Sequence, residues 1–75
     1  MGWKKGTVIR IPMVGKVMEL KVKVGDIIHK KDVIAVLDSM KMRVPIFSPA
    51  DGTIKELNAT VGQVLNKGHI LAVLS

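Results

Sequence analysis

VLDSMKMRVP, residues 36–45, sets one lysine between two methionines where an apolar run gives way to a second apolar segment. Runs of this kind are typical of β-strands. The two segments, predicted as strands over 36–39 and 42–46, leave only Met40 and Lys41 between them, which is the length of a two-residue hairpin turn. Such turns favour positive φ, which is costly for residues with a Cβ, so we expect a mildly strained tip held by its strands. The stretch predicts a hairpin that presents Lys41.

The same sequence pattern occurs on both sides of this hairpin. Shifted by 37 residues, the chain matches itself at ten of 26 aligned pairs without a gap, and five further pairs exchange one aliphatic residue for another. Two copies are too few for a stacked repeat protein, so we expect each half to complete the core of the other. The duplication predicts quasi-two-fold symmetry. It would place the hairpin at one end of the molecule and the chain ends, near Pro12 and Leu74, at the other.

Within each half the pattern is that of short strands. Alternation of apolar and charged residues over 18–24 indicates a strand with one buried face, whereas 33–37 and 70–74 are apolar on both faces and indicate central strands. The fold class is therefore all-β, a small sandwich or flattened barrel. Four glycines are interpreted as turn residues that permit positive φ: Gly15, Gly25, Gly52 and Gly62.

The composition limits the class of protein. The chain has 75 residues, enough for one small domain, and it has no cysteine for disulfides or thiolate metal sites. No apolar run is long enough for a membrane span, and the N-terminus lacks the apolar stretch of a signal peptide, so we expect a cytoplasmic protein without a membrane span. Residues 1–6 have no counterpart in the second half. We interpret them as a flexible remnant before a domain at 7–75.

The net charge of +6 suits an acidic partner or nucleic acid. The lysines, however, are scattered along strand and turn positions, as solvated strand faces and edges are. Proteins that bind single-stranded nucleic acid also use several aromatic side chains for stacking, and this chain has only Trp3 and Phe47. A basic β-barrel that binds nucleic acid is thus a remote alternative, and we expect no nucleic-acid partner.

Five short elements occur in order along the chain: Pro12-Met13-Val14-Gly15, Val24-Gly25-Asp26, Asp38-Ser39-Met40-Lys41-Met42, Pro49-Ala50-Asp51-Gly52 and Val61-Gly62. Through these elements the chain from Val8 to Leu74 closely resembles the biotinyl/lipoyl attachment domain family, and within it the biotin carboxyl carrier type. Met-Lys-Met between two such halves is a highly specific signal. Asp38 stands where glutamate is more usual.

The resemblance implies a flattened barrel of two four-stranded antiparallel sheets with quasi-two-fold symmetry. It implies that Lys41 is biotinylated by biotin protein ligase, and that the modified lysine moves a carboxyl group from a biotin carboxylase to a carboxyltransferase or decarboxylase. A carrier of this kind is non-catalytic, and we expect the domain to be monomeric. The residues assigned to ligase recognition are Asp38, Ser39, Met40 and Met42.

Three alternatives stay open at this point. A lipoyl carrier shares the fold and the hairpin lysine, but lipoyl domains usually have aspartate before the lysine, so Met40 argues against lipoate without excluding a dual biotin and lipoate acceptor. Met40 and Met42 could instead fill the core. His29 and His69 suggest a metal site, but they occupy different positions in the two halves and lack a third ligand, so we predict no metal.

Overall fold

A computed structural model describes residues 6–75, which form eight β-strands and contain no helix. None of the described segments could therefore cross a membrane as a long apolar helix. The predicted flexible remnant falls largely on residues 1–5, outside the described residues. The strands are β1 (Thr7–Arg10), β2 (Gly15–Leu20), β3 (Ile27–Ile28), β4 (Val33–Ser39), β5 (Met42–Phe47), β6 (Gly52–Leu57), β7 (Val64–Leu65) and β8 (Ile70–Leu74).

The strands form two four-stranded antiparallel sheets, as predicted. One sheet has the order β1-β8-β6-β3 and the other has the order β5-β4-β2-β7. The 37-residue shift relates β1 to β5, β2 to β6, β3 to β7 and β4 to β8, so it turns one strand order into the other. The predicted central strands, β4 and β8, each have two neighbours in their sheets. The duplication therefore appears in the topology itself.

Hydrogen bonds outside the ladders obey the same symmetry. The Gly25 N–H donates to the carbonyl of Ile54, and the Gly62 N–H donates to the carbonyl of Val17, both at 2.8 Å. Each bond joins the two halves, and each becomes the other after the 37-residue shift. The halves are thus linked reciprocally, as expected for a quasi-two-fold axis.

The core is built from both halves at once. Thirteen apolar residues are buried, and twelve of them form six pairs related by the 37-residue shift. The thirteenth is Ile11, whose counterpart Ser48 is also buried. The six pairs are Ile9/Ile46, Val17/Ile54, Ile28/Leu65, Ile34/Leu71, Ala35/Ala72 and Leu37/Leu74. Neither half alone would shield its own apolar face, so the prediction that each completes the other's core is confirmed.

The strand predicted over 18–24 ends earlier than its alternating pattern suggested. β2 ends at Leu20, the register shifts between Val17 and Glu19, and Val24 is 60% exposed. The Asp26 carboxylate accepts a hydrogen bond from the Lys23 N–H at 3.0 Å and closes a turn there. The prediction of one strand over 18–24 was therefore wrong beyond Leu20.

Two of the four predicted turn glycines were assigned wrongly. Gly25 and Gly62 have φ values of 97° and 93°, as predicted, but Gly15 and Gly52 begin β2 and β6 and are not among the residues with positive φ. Their restriction is steric. A Cβ on Gly15 would lie 3.2 Å from the Asp38 carbonyl oxygen, and a Cβ on Gly52 would lie 3.0 Å from the Ser75 carbonyl oxygen.

The two ends of the molecule differ. Thr7 pairs with Leu74, and Gly52 lies beside Ser75, so the described chain ends and the start of β6 share what we call the terminal end. β5 carries the chain from the hairpin tip toward Gly52, so the tip lies at the opposite, hairpin end.

Pro12 does not lie with the termini, in contrast to the prediction from the repeat. It lines a shallow groove of about 410 Å³ together with its counterpart Pro49. The groove is also lined by the repeat-related residues Val8 and Pro45 on edge strands β1 and β5. Residues related by the shift meet here, so the quasi-two-fold axis passes through this groove and Pro12 lies near the middle of the molecule.

Candidate functional site

The predicted hairpin is present. β4 and β5 are paired from Val33 and Phe47 to Ser39 and Met42, and Met40 and Lys41 form the two-residue turn between them. Both turn residues have positive φ, 50° at Met40 and 68° at Lys41. Neither is a glycine, so each carries a backbone cost on the order of 1 kcal/mol or more. The predicted strain at the tip is confirmed.

The strands beside the turn explain how that strain is tolerated. β4 pairs with β5 on one side and with β2 on the other, so the hairpin extends from the middle of a sheet. Leu37, three residues before the turn, is fully buried and pairs with Val44 across the hairpin. Because packing fixes the base, the turn cannot relax by shifting register without moving core side chains to the outer face.

Lys41 is exposed at the tip, with exposed residues on both sides. Met40 is 89% exposed and Met42 is 67% exposed. The alternative that these methionines fill the core is therefore wrong for both. The tip presents one amine between two unbranched thioether side chains, which adapt readily to an apolar contact surface.

Ser39 is buried, whereas its assignment to ligase recognition expected an exposed side chain. Only 8% of it is exposed, because strand alternation turns it inward after the outward-facing Asp38. Its hydroxyl donates a hydrogen bond to the Val14 carbonyl at 2.7 Å. The assignment of Ser39 to a partner-contacting set is corrected to a structural role, in which it ties the β1–β2 loop (residues 11–14) to the base of the hairpin.

Asp38 lies between two cations on the outer face of its sheet. It is directly opposite Lys16 on β2 and Arg43 on β5. Side chains in such pairs are close enough for opposite charges to attract. The arrangement leaves the half-buried Asp38 in a positive surrounding beside the turn.

The next charged row on the same sheet contains an ion pair. The Lys21 ammonium lies 2.6 Å from the Glu19 carboxylate. This hydrogen bond and the charge of Lys21 lower the pKa of Glu19 below its ordinary value, with a smaller contribution from the charge of Arg43. The outer face near the hairpin therefore carries alternating charges rather than a uniform basic patch.

The two histidines have ordinary partners. The Nε2 of His69 lies 2.8 Å from the Asn58 carbonyl oxygen, and the Nδ1 of His29 lies 3.7 Å from the Asp32 carboxylate. Within residues 6–75 no three metal-ligating side chains come together.

Sequence reasoning did not identify the β1–β2 loop as part of this end of the molecule. Met13 and Val14 were noted only as members of a motif, yet they are 39% and 51% exposed beside the hairpin. A signal was present in the repeat: the counterparts of this apolar pair are Ala50 and Asp51, so the two loops differ in character where their backbones are equivalent.

Comparison with known families and proteins gives a consistent result. The profile of a family described as "Biotin-requiring enzyme" matches residues 7–74. Pyruvate carboxylase 1 of Caenorhabditis elegans is 51% identical over 41 residues, which cover 55% of this chain and 4% of that protein. The biotinylated protein TB7.3 of Mycobacterium tuberculosis is 42% identical over 40 residues, which cover 53% of this chain and 56% of TB7.3. The matched region thus spans only part of each relative.

Solved structures share the fold over nearly the whole chain. A single-chain, multi-domain long-chain acyl-CoA carboxylase superimposes with a TM-score of 0.87 and 25% identity, covering 97% of this chain and 7% of that one. The urea carboxylase of Kluyveromyces lactis gives a TM-score of 0.89 at 16% identity, covering 100% of this chain and 7% of the carboxylase. At that identity the second likeness concerns the fold alone.

Proposed function

Since the chain belongs to the biotinyl/lipoyl attachment family, as a domain of the biotin carboxyl carrier type, we propose that Lys41 carries biotin in an amide bond to its Nζ. The observation that supports this most strongly is the position of Lys41 in an exposed, strained two-residue turn that a buried strand holds in place. No other lysine described here lies at the tip of a hairpin between two exposed methionines.

The attachment chemistry needs a primary amine that reaches into another enzyme. A lysine amine is protonated at neutral pH, so the ligase must remove a proton before the nitrogen can attack. The Nζ lone pair then forms a bond to the carbonyl carbon of biotinyl-adenylate, the bond from that carbon to the phosphate oxygen breaks, and AMP leaves. The product is a neutral amide, so the tip loses one positive charge. The domain contributes presentation of the amine, and the ligase contributes its activation.

The recognition role is narrower than the sequence predicted. We assign contact with biotin protein ligase to the exposed Met40 and Met42, with Asp38 beside them on the outer face. Ser39 is left out of this set because it is buried.

In this proposal the biotinylated domain is a carrier without turnover of its own. Biotin would accept a carboxyl group at a biotin carboxylase site and deliver it at a carboxyltransferase or decarboxylase site. Tethering makes both encounters effectively intramolecular, which can raise local biotin to about the millimolar range without tight docking. Likeness to pyruvate carboxylase 1 and to a multi-domain acyl-CoA carboxylase supports a carboxylase context.

Biotin is favoured over lipoate as the attached group. The family description and the name of TB7.3 both refer to biotin, and neither supports lipoate. Met40, which precedes the lysine, also differs from the aspartate usual in lipoyl domains.

The mass of the intact protein tests this function. After incubation with biotin protein ligase, biotin and ATP, we expect every molecule to gain the mass of one biotinyl group, and a parallel reaction with lipoate ligase and lipoate to leave the mass unchanged. A protein that stays unmodified with biotin, or that accepts lipoate instead, would contradict the proposal.

A further inference from the structure

The duplication separates surface features that the fold requires from those that it does not. Val24 and Val61 are repeat counterparts, exposed at 60% and 58%, and Ile27 and Val64 are counterparts exposed at 76% and 64%. Because these apolar residues occur in both halves, their exposure belongs to the shared strand and turn geometry. An exposed apolar residue without such a counterpart calls for a different explanation.

Met13 and Val14 have no apolar, exposed counterpart. Met13 is 39% exposed and Val14 is 51% exposed, whereas the equivalent loop at the terminal end has Ala50 and Asp51. The carboxylate of Asp51 accepts a hydrogen bond from the Lys30 N–H at 2.7 Å. The fold thus accepts a small residue and a charged residue at the two backbone positions equivalent to Met13 and Val14. It does not require an exposed methionine and valine.

The apolar loop is fixed next to the lysine turn. Ser39 directly precedes Met40, and its hydroxyl donates a hydrogen bond to the Val14 carbonyl at 2.7 Å. The next residue, Gly15, packs so closely on the hairpin that an added Cβ would lie 3.3 Å from the Cβ of Leu37. Two separate segments of the chain therefore place exposed apolar side chains at the hairpin end. We call the set Met13, Val14, Met40 and Met42 the hairpin-end patch.

Charges beside the patch also distinguish the two ends. Lys16 and Arg43 flank Asp38 at the hairpin end. At the terminal end Thr53 replaces Lys16 and, when the equivalence of β1 and β5 is extended by one residue, Gly6 replaces Arg43. With Lys41, the hairpin end carries three cations and one carboxylate before modification. An apolar patch with a positive border fits a partner with an apolar pocket bordered by carboxylates.

We propose that the β1–β2 loop, through Met13 and Val14, is a second docking element for biotin protein ligase, used together with Met40 and Met42. This inference rests on the proposed function of Lys41. A ligase has to bring the lysine nitrogen itself to the adenylate, so it has to close over this end of the molecule. Enzymes that carboxylate or decarboxylate biotin act at the far end of the attached arm, so they need less contact with residues so close to the backbone of the tip.

The test compares two valine-to-aspartate substitutions at opposite ends of the molecule. Val14→Asp and Val24→Asp make the same chemical change at side chains exposed to 51% and 60%. Because an apolar contact is lost and a carboxylate would face carboxylates, we expect Val14→Asp to lower kcat/KM for ligase-catalysed biotinylation about tenfold, mainly through a higher KM. Val24→Asp should stay within about twofold of the wild type. Met13→Ala, which adds no charge, should lower kcat/KM about threefold.

Each outcome decides the proposal. Equal labelling of Val14→Asp and wild type would overturn it while leaving the function of Lys41 intact, and so would an equal slowing by Val14→Asp and Val24→Asp. If Val14→Asp is biotinylated normally but is then carboxylated slowly by a biotin carboxylase, the loop would be assigned to the carboxylase. That result would also overturn the proposal. An unlabelled wild type would overturn the function and the inference together. If Val14→Asp lowers the melting temperature, the near-isosteric Val14→Thr decides instead, with an expected KM increase at unchanged stability; an unchanged KM would overturn the proposal.

Discussion

The hairpin end and the terminal end are built from equivalent strands, but among residues 6–75 only the hairpin end has a lysine in a two-residue turn between paired strands. At the hairpin end, β4 continues into β5 through Met40 and Lys41, whereas at the terminal end the equivalent strands, β8 and β1, pair without a connecting turn between them. The loop beside the first end is apolar and the loop beside the second contains Asp51. The comparison teaches that residues shared by the halves make the scaffold, and that the unshared ones are candidates for function.

The largest effect is expected from removing the amine at the hairpin end. Lys41→Arg keeps the charge but offers no nucleophile for the adenylate, so ligase-catalysed biotinylation measured by intact mass should be abolished. The free energy of unfolding should change by no more than about 0.5 kcal/mol, because the side chain is exposed. Lys55→Arg, on β6 in the other sheet, is the matched control and should be labelled fully. Residual labelling of Lys41→Arg would mean that another lysine is an acceptor.

The second test asks whether the two halves contribute equally to the core. Leu37 and Leu74 are repeat counterparts with 0% and 1% exposure. Replacing either with alanine should cost about 2–5 kcal/mol in denaturant unfolding, from lost burial and the cavity left behind. The two values should be similar if the quasi-symmetry extends to packing energy. A large cost at Leu37 with almost none at Leu74 would show that one half dominates the core.

The third test exchanges one strained turn residue between the halves. Lys31 has a φ of 76° and its counterpart Gly68 has a φ of 88°, so the same left-handed backbone is occupied by lysine once and by glycine once. Lys31→Gly should stabilise the protein, and Gly68→Lys should destabilise it, each by about 1 kcal/mol. Chemical denaturation of both variants measures the pair. Effects of the same sign would contradict the equivalence of the two turns.

The smallest effect concerns a charge present in one half. Lys21 lowers the pKa of Glu19, whereas Glu56, the counterpart of Glu19, has Asn58 at the position equivalent to Lys21. A lowered carboxylate pKa adds stability above the unfolded-state pKa, and this stability is lost as pH falls through the lowered value. Glu19→Gln should therefore reduce the dependence of the melting temperature on pH in the acidic range slightly more than Glu56→Gln does. Because the pair is exposed, the difference should be small; identical profiles would show that the pair contributes nothing.

Much of this architecture could be predicted from the sequence, because the repeat and the apolar pattern of each strand can be read without knowing which residues are in contact. The turn at Met40 and Lys41 followed from the lengths of the flanking apolar runs. The central strands followed from 33–37 and 70–74, which are apolar on both faces. Comparing the halves residue by residue would also have revealed the positive φ of Lys31, since the chain has glycine at the equivalent position 68.

The errors came from contacts between residues distant in sequence. Gly15 and Gly52 are restricted by the carbonyl oxygens of Asp38 and Ser75, which no local turn pattern reveals. Ser39 was assigned to ligase recognition through the family motif, whereas strand alternation and the Val14 carbonyl place it inside. Both corrections concern close packing of the β1–β2 loop and β2 on the hairpin, or its equivalent at the terminal end.

The account rests on selection of one amine by its place in the fold, and a peptide map of the biotinylated wild type tests this most directly. Lys16 and Lys55 are exposed, as Lys41 is, so a lysine-acylating reagent should modify all three. After ligase treatment, mass spectrometry of the peptides should find biotin on Lys41 alone. Biotin spread over several lysines, or found at the terminal end on Lys55, would contradict the claim that the hairpin end exists to present this lysine.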